Sequence, residues 1–185
     1  MRPLMLAVAI ALGLGGCALQ QAPVSTAVMP FQTGLADPVN AVQYAAWAFA
    51  LPSRTRNDPL SAIKAVAALD YAAGVVNTSP VFIGLDPIAA QQLLIGRTDM
   101  RRALGIQEDA PSQAVVNAMT RAMLAQEAEN HAAVLEALSS PLFTLGPDHT
   151  FALLTNLPYI HMANIATINA ENAINGGCMS CGRAM

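Results

Sequence analysis

The sequence predicts an all-α fold, and three observations carry that expectation. Hydrophobic residues make up 54% of the chain and charged residues only 11%, and much of the apolar excess is alanine, which enters a helix at no side-chain entropy cost. Aromatic residues are sparse at 5%, and β-branched residues never build the sustained alternation that marks a strand. The pair Asp-Pro then recurs as Asp37-Pro38, Asp58-Pro59 and Asp86-Pro87. Aspartate accepts the orphan amides of a first helical turn, and proline at the next position gives up an N–H that would be unpaired anyway. Each pair therefore marks a helix start. The expected architecture is an irregular antiparallel bundle of about six or seven short helices joined by short loops.

The first helix is predicted from about Pro38 to Leu51, with Val39, Val42, Ala46 and Phe49 on one face. A polar loop, Pro52–Asn57, leads to a second helix over about Pro59–Asn77. It turns Ile63, Val66, Ala67, Ala73 and Val76 inward, and its small residues permit close contact with neighbours. Thr78–Leu85 reads as a connection partly buried through Val81, Phe82 and Ile83. The third helix, about Pro87–Leu104, ends at Gly105, a residue suited to a left-handed cap. The fourth, about Pro111–Glu127, carries Val116, Met119 and Met123 at helical spacing. Glu127–Asn130 forms a turn before a short fifth helix with Val134, Leu135 and Leu138. The sixth is expected over Asp148–Leu157 and the seventh over Tyr159–Ala173, with Asn175–Met185 as a loose tail. Met119–Leu138 has a helix–turn–helix character, but no 34-residue period accompanies it, so a repeat array is a minor alternative.

The N-terminus reads separately from this domain. Arg2 supplies one positive charge, and Leu4–Leu14 is an apolar run of signal-peptide length, too short and wrongly flanked to span a membrane. The run closes on Leu14-Gly15-Gly16-Cys17, which resembles a bacterial lipobox. The resemblance implies that residues 1–16 are a leader removed by a signal peptidase recognising Leu14, Gly15 and Gly16. It also implies that Cys17 becomes the first mature residue and carries a diacylglyceryl thioether, with N-acylation. A plain secretory leader with an incidental cysteine is the competing reading. One acyl chain holds a protein only marginally, whereas the two or three of a mature bacterial lipoprotein hold it firmly. Ala18, not aspartate, follows the cysteine, which by the same resemblance favours the outer membrane, facing the periplasm. Residues 17–36 then read as the lipidated cysteine and a tether of about 25 Å, unless Phe31 docks on the domain. The helical domain occupies 37–174 and a flexible Cys-containing tail 175–185. From Asp37 to Ala173 the chain also resembles small helical lipoproteins of uncharacterised type in alphaproteobacteria, and that resemblance implies no activity.

Taking the sixteen leader residues from 185 leaves 169, enough for one domain with a real core. The net charge of −3 becomes −4 when Arg2 leaves with the leader. Such a chain has no basic footprint for nucleic acid and no polybasic surface for anionic lipid. The expected partners are the membrane, through the anchor, and an envelope protein.

Candidate chemistry is thin. Cys178 and Cys181 form a CxxC near the C-terminus, beside Met179 and Met185. Oxidising conditions outside the cytoplasm favour a local disulfide, while thiolates and thioethers together suit soft metals. His149 and His161 would complete such a site if the fold brought them near. Copper or zinc binding, or thiol exchange, is thus the alternative function. Arg97, Arg101 and Arg102 concentrate three of the eight basic residues left after Arg2 is removed. Arg97 and Arg101 share a helix face while Asp99 pairs with Arg102, so the segment reads either as a face for an acidic partner or as a solvated helix end set against the dipole. Asp70, inside an alanine-rich helix, reads as a structural lock or, less often, a site if an arginine meets it. No residue set names a catalytic role or a cofactor, and the expected function is binding or scaffolding at the cell envelope.

Overall fold

The computed structural model describes residues 27–180. They form an all-α bundle of seven helices: α1 (Pro38–Ala50), α2 (Pro59–Val75), α3 (Pro87–Ala103), α4 (Ser112–Glu127), α5 (His131–Leu138), α6 (Pro147–Thr155) and α7 (His161–Ser180). Among the described residues there are no strands, only an isolated antiparallel bridge between Ile106 and Phe143 that ties the α3–α4 connection to the α5–α6 connection.

The Asp-Pro pairs start helices by the expected mechanism. Asp37 accepts from the Val39 amide at 2.8 Å, Asp58 from Ser61 at 3.0 Å and Asp86 from Ile88 at 2.7 Å, and a proline fills the first helical position each time. At the other end of α3, Gly105 adopts φ +63°. The Ile106 amide then donates to Arg101 O and the Gly105 amide to Arg102 O, closing the six-to-one and five-to-two bonds of a Schellman motif. The same pair of bonds ends α4, from Asn130 to Ala125 O and from Glu129 to Gln126 O, but there the left-handed residue is Glu129, at φ +54°.

α2 is the hub. It packs against α1, α3, α4 and α6, while α7 lies on α1 and α3, and α5 links α4 to α6. From Ala62 to Val76 every α2 residue except Lys64 is buried. The sequence predicts one inward face for this helix; the structure surrounds it. A helix made mostly of alanine is small and apolar on every side, so neighbours can close on all of them. Lys64 reaches out to Glu127 of α4 at 3.0 Å.

α3 and α7 make the tightest approach at Gly96. A Cβ built there would lie 2.8 Å from Ala166 Cβ and 3.0 Å from the Met162 carbonyl. Ala163, Ala166 and Ala170, all fully buried, give α7 the small face that this contact needs.

Several boundaries and exposures differ from expectation. α7 begins at His161 and continues to Ser180, so the stretch read as a loose tail is helical to that point; glycines weaken a helix but, unlike proline, do not stop its hydrogen bonding. The stretch read as tether is not free from Ala27 onward. Ala27, Met29 and Leu35 are buried, Val28 donates to and accepts from the Gln113 side chain at 2.7 and 3.1 Å, and Tyr71 Oη donates to Ala36 O at 2.8 Å. Phe31, the residue through which the tether had the alternative of docking, is 89% exposed, and the contacts are made by its neighbours in the arm. It sits in a 3₁₀ turn, Phe31–Thr33, that points it outward while Met29 and Thr33, two positions to either side, are buried. The connection after α2 behaves alike: Phe82 is buried, but Val81 is half-exposed and Ile83 is 84% exposed.

Candidate functional site

The most densely bonded side-chain centre lies where α2, α3 and the start of α4 meet. Asp70 of α2 and Arg101 of α3 are both buried and face each other as two parallel bonds. Arg101 Nε donates to Asp70 Oδ2 and Nη2 to Oδ1, each at 2.7 Å. The remaining donors of the guanidinium are also used. Nη1 donates to Glu108 O at 2.9 Å and Ala110 O at 2.7 Å, and Nη2 reaches Ser112 Oγ at 3.3 Å. The fork geometry of arginine suits this arrangement, satisfying a carboxylate on one edge and two backbone carbonyls on the other. The α3–α4 connection is thereby wrapped around one side chain.

Arg97, one turn earlier, turns the same way. Its Nη1 donates to Ser112 Oγ at 3.1 Å. Burial holds its guanidinium below the usual value; Asp70 opposes that shift and the neighbouring Arg101 cation adds to it. Arg102 points outward and is engaged by two carboxylates, with Nε and Nη2 donating to both oxygens of Glu108 and Nη1 donating to Asp99, all at 2.9 Å. The hydrogen-bonded Glu108 carboxylate, followed by its charge and that of Asp99, raises the Arg102 value.

These bonds replace the expected acidic-partner face. Arg97 and Arg101 do share a face, but it is the one that packs on α2, and Arg102 already holds its acids within the chain. Nor is Arg101 part of a solvated helix end. Burial of a helix terminus against a carboxylate 31 positions away is not visible in local spacing. Asp70 is the lock that its place in an apolar helix implied, and Arg101 is its partner. Because both oxygens of Asp70 are committed and fully buried, the pair is out of reach of a dissolved substrate and its role is structural.

Among the described residues, the surface carries a groove suited to a macromolecular or small partner. An open groove of about 480 Å³ runs between α4 and α5, lined by Arg121, Ala125, Ala133, Glu136, Ser139 and Ser140 among others. Its lining combines alanines with one charge of each sign and two hydroxyls. Sequence reasoning missed it because each side contributes only half, and the two halves lie eight to nineteen positions apart.

The remaining sequence-derived sites stand as follows. Leu14, Gly15, Gly16 and Cys17 lie outside the described residues, as does Cys181. Cys178 falls in the last turn of α7. His161 opens that same helix, seventeen residues earlier, or about 25 Å along the axis, so it does not reach a metal held at Cys178. His149 is exposed in α6. Among the described residues, no group of three or more His, Cys, Asp or Glu side chains is placed to hold a metal ion, and no helix is long and apolar enough to cross a membrane.

Comparison with known proteins adds no assignment: no family model, no curated protein and no solved structure matches the chain.

Proposed function

We propose that this protein is a lipid-anchored component of a bacterial cell envelope, facing the periplasm from the outer membrane, and that it works by binding or scaffolding. The observation that carries the reading is the apolar run Leu4–Leu14 closing on Leu14-Gly15-Gly16-Cys17. The fold supports it in one respect. Packed structure begins by Ala27, ten residues after Cys17, so a domain follows the proposed anchor at short range, as a display module requires. The α4–α5 groove is the surface offered to an envelope partner. Its mixed charge fits a neutral or weakly polar protein segment better than a strongly acidic one.

The test is metabolic labelling with an alkynyl palmitate in a diderm bacterial host, with the Cys17→Ser form beside the wild type and intact mass of the mature N-terminus. Label on the wild type alone, with mass starting at a modified Cys17, supports the anchor. An unlabelled wild type, or one cleaved elsewhere, removes it. Crosslinking in cells then addresses scaffolding: an envelope protein captured by the wild type, and lost when Arg121 and Glu136 are both replaced by alanine, assigns the groove.

A further inference from the structure

Building on the lipid-anchor reading, we propose that the end of the bundle where α1 begins and α2 ends rests against the bilayer that holds the anchor, with Phe31 and Ile83 set into its interfacial layer. Three observations point there.

The first is chain length. Ten peptide steps separate Cys17 from Ala27. Fully extended they span about 35 Å, and a coil of that length averages about 17 Å. Ala27 and its neighbours are fixed to the start of α4 through Val28 and Gln113 and to α2 through the Tyr71–Ala36 bond. An anchor at Cys17 therefore draws this end of the bundle toward the membrane. The far end of the α1/α2 hairpin lies about 20–25 Å further off, the length of the helices themselves.

The second is what this end exposes. Phe31 is 89% exposed, Ile83 84% and Ile88 69%, with Val28 and Val81 also open. Single exposed apolar residues are ordinary. These five fall in two short segments, the turn before α1 and the connection from α2 into the first turn of α3. The latter is held to α2 by the Ser79 amide donating to Val75 O at 2.8 Å. In both segments buried residues (Met29 and Leu35 in one, Phe82 in the other) sit beside apolar side chains that face out.

The third is charge. From Ala27 to Ala36 there is no charged residue, and between Asp70 and Arg97 only Asp86. Asp37 and Asp86, each accepting a helix-start amide, are the charges flanking these two segments, so few ions leave water when the segments enter an interface. The other end carries Arg54, Arg56 and Asp58 in the α1–α2 connection. An amphipathic surface inserts about 5–10 Å into the headgroup and upper acyl region, a depth that short side-chain clusters can reach.

The experiment uses the full lipidated protein on phosphatidylethanolamine/phosphatidylglycerol vesicles that include lipids brominated high on the acyl chain. In a Trp47→Phe background, Phe31→Trp and Ile83→Trp report on the proposed face. Tyr159→Trp reports on the far end, where Tyr159 lines a hollow with Phe49 and Pro52. All three positions are more than half exposed, and unchanged helical circular dichroism in each variant checks the fold. The expected result is a blue-shifted, bromine-quenched emission for Phe31→Trp and Ile83→Trp, and neither change for Tyr159→Trp. Vesicle-bound protein whose mass shows the lipid on Cys17, but whose Phe31→Trp and Ile83→Trp emission stays that of water-exposed indole, overturns the orientation and leaves the anchor standing. Equal quenching at all three positions overturns it as well. Protein whose mass shows no lipid on Cys17 removes the anchor reading and this inference together.

Discussion

Replacing Asp70 with asparagine is the sharpest test of what holds this domain in one arrangement. The substitution keeps the shape of the side chain but withdraws the charge that faces Arg101 at two 2.7 Å bonds. Arg101 is only 1% exposed, so water cannot take the place of the carboxylate. Removing one partner of a buried pair costs about 3–5 kcal/mol. A domain of this size is stable by roughly 5–15 kcal/mol in total, so the loss is about a fifth of the stability at the least and most of it at the other extreme. With a urea dependence of about 2 kcal/mol/M, the midpoint falls by about 2 M. Arg101→Met should cost at least as much as Asp70→Asn, because it strands the Asp70 charge and also leaves Glu108 O and Ala110 O without their donor, with only the nearby Arg97 cation to offset the loss. The double variant Asp70→Leu/Arg101→Met removes both charges and leaves Glu108 O and Ala110 O without their donor, at about 1–3 kcal/mol for each buried carbonyl. It should therefore lose about as much as one single variant, far short of the sum of two. Urea unfolding followed by helical circular dichroism measures all of these. Losses below about 1 kcal/mol for Asp70→Asn, a figure typical of exposed pairs, or losses that simply add in the double variant, would refute a buried, coupled lock.

Three further outcomes follow from the packing and caps. Gly96→Val forces two extra carbons where even a Cβ lies 2.8 Å from Ala166 Cβ and 3.0 Å from backbone; overpacking of this kind costs about 1–3 kcal/mol or more, and Ala166→Gly should recover only part of it in thermal melts, because the Met162 carbonyl stays in place. Glu129→Gly relieves a left-handed residue at the α4 C-cap (φ +54°) and should raise stability by up to about 1 kcal/mol, visible as a higher melting temperature. A drop would place an unrecognised contact on Glu129. The domain should also weaken in alkali. Burial, then the Asp37 carboxylate, raises the Tyr71 phenol above its ordinary 10.0, so the fold favours the protonated form. That contribution is whole below about pH 10, the unfolded value, and is lost as pH climbs through the raised folded value. Tyr71→Phe should flatten the alkaline slope while costing the bond to Ala36 O, and an unchanged slope in a pH series of urea melts would exclude Tyr71 as its source.

The sequence by itself determined the features whose partners sit within about four positions. The starts of α1, α2 and α3 are legible because an aspartate and the amides it accepts belong to one turn, and Gly105 because a left-handed cap is a property of one residue and its own helix end. Lack of strand alternation settled the fold class for the same local reason. The tertiary structure alone decided which faces became interior. Arg97 and Arg101 read as an outward basic face until α2 is seen to present Asp70 to it, and only the wrapping of α1, α3, α4 and α6 shows that α2 is buried on nearly every side from Ala62 onward. Phe31 and Met29 are both apolar and two positions apart, yet Met29 is buried and Phe31 open, because the backbone of that arm is fixed by Gln113 and Tyr71, from helices 85 and 35 positions away. Hydrophobicity says that a side chain gains by leaving water; only the packed chain says which ones are given somewhere to go.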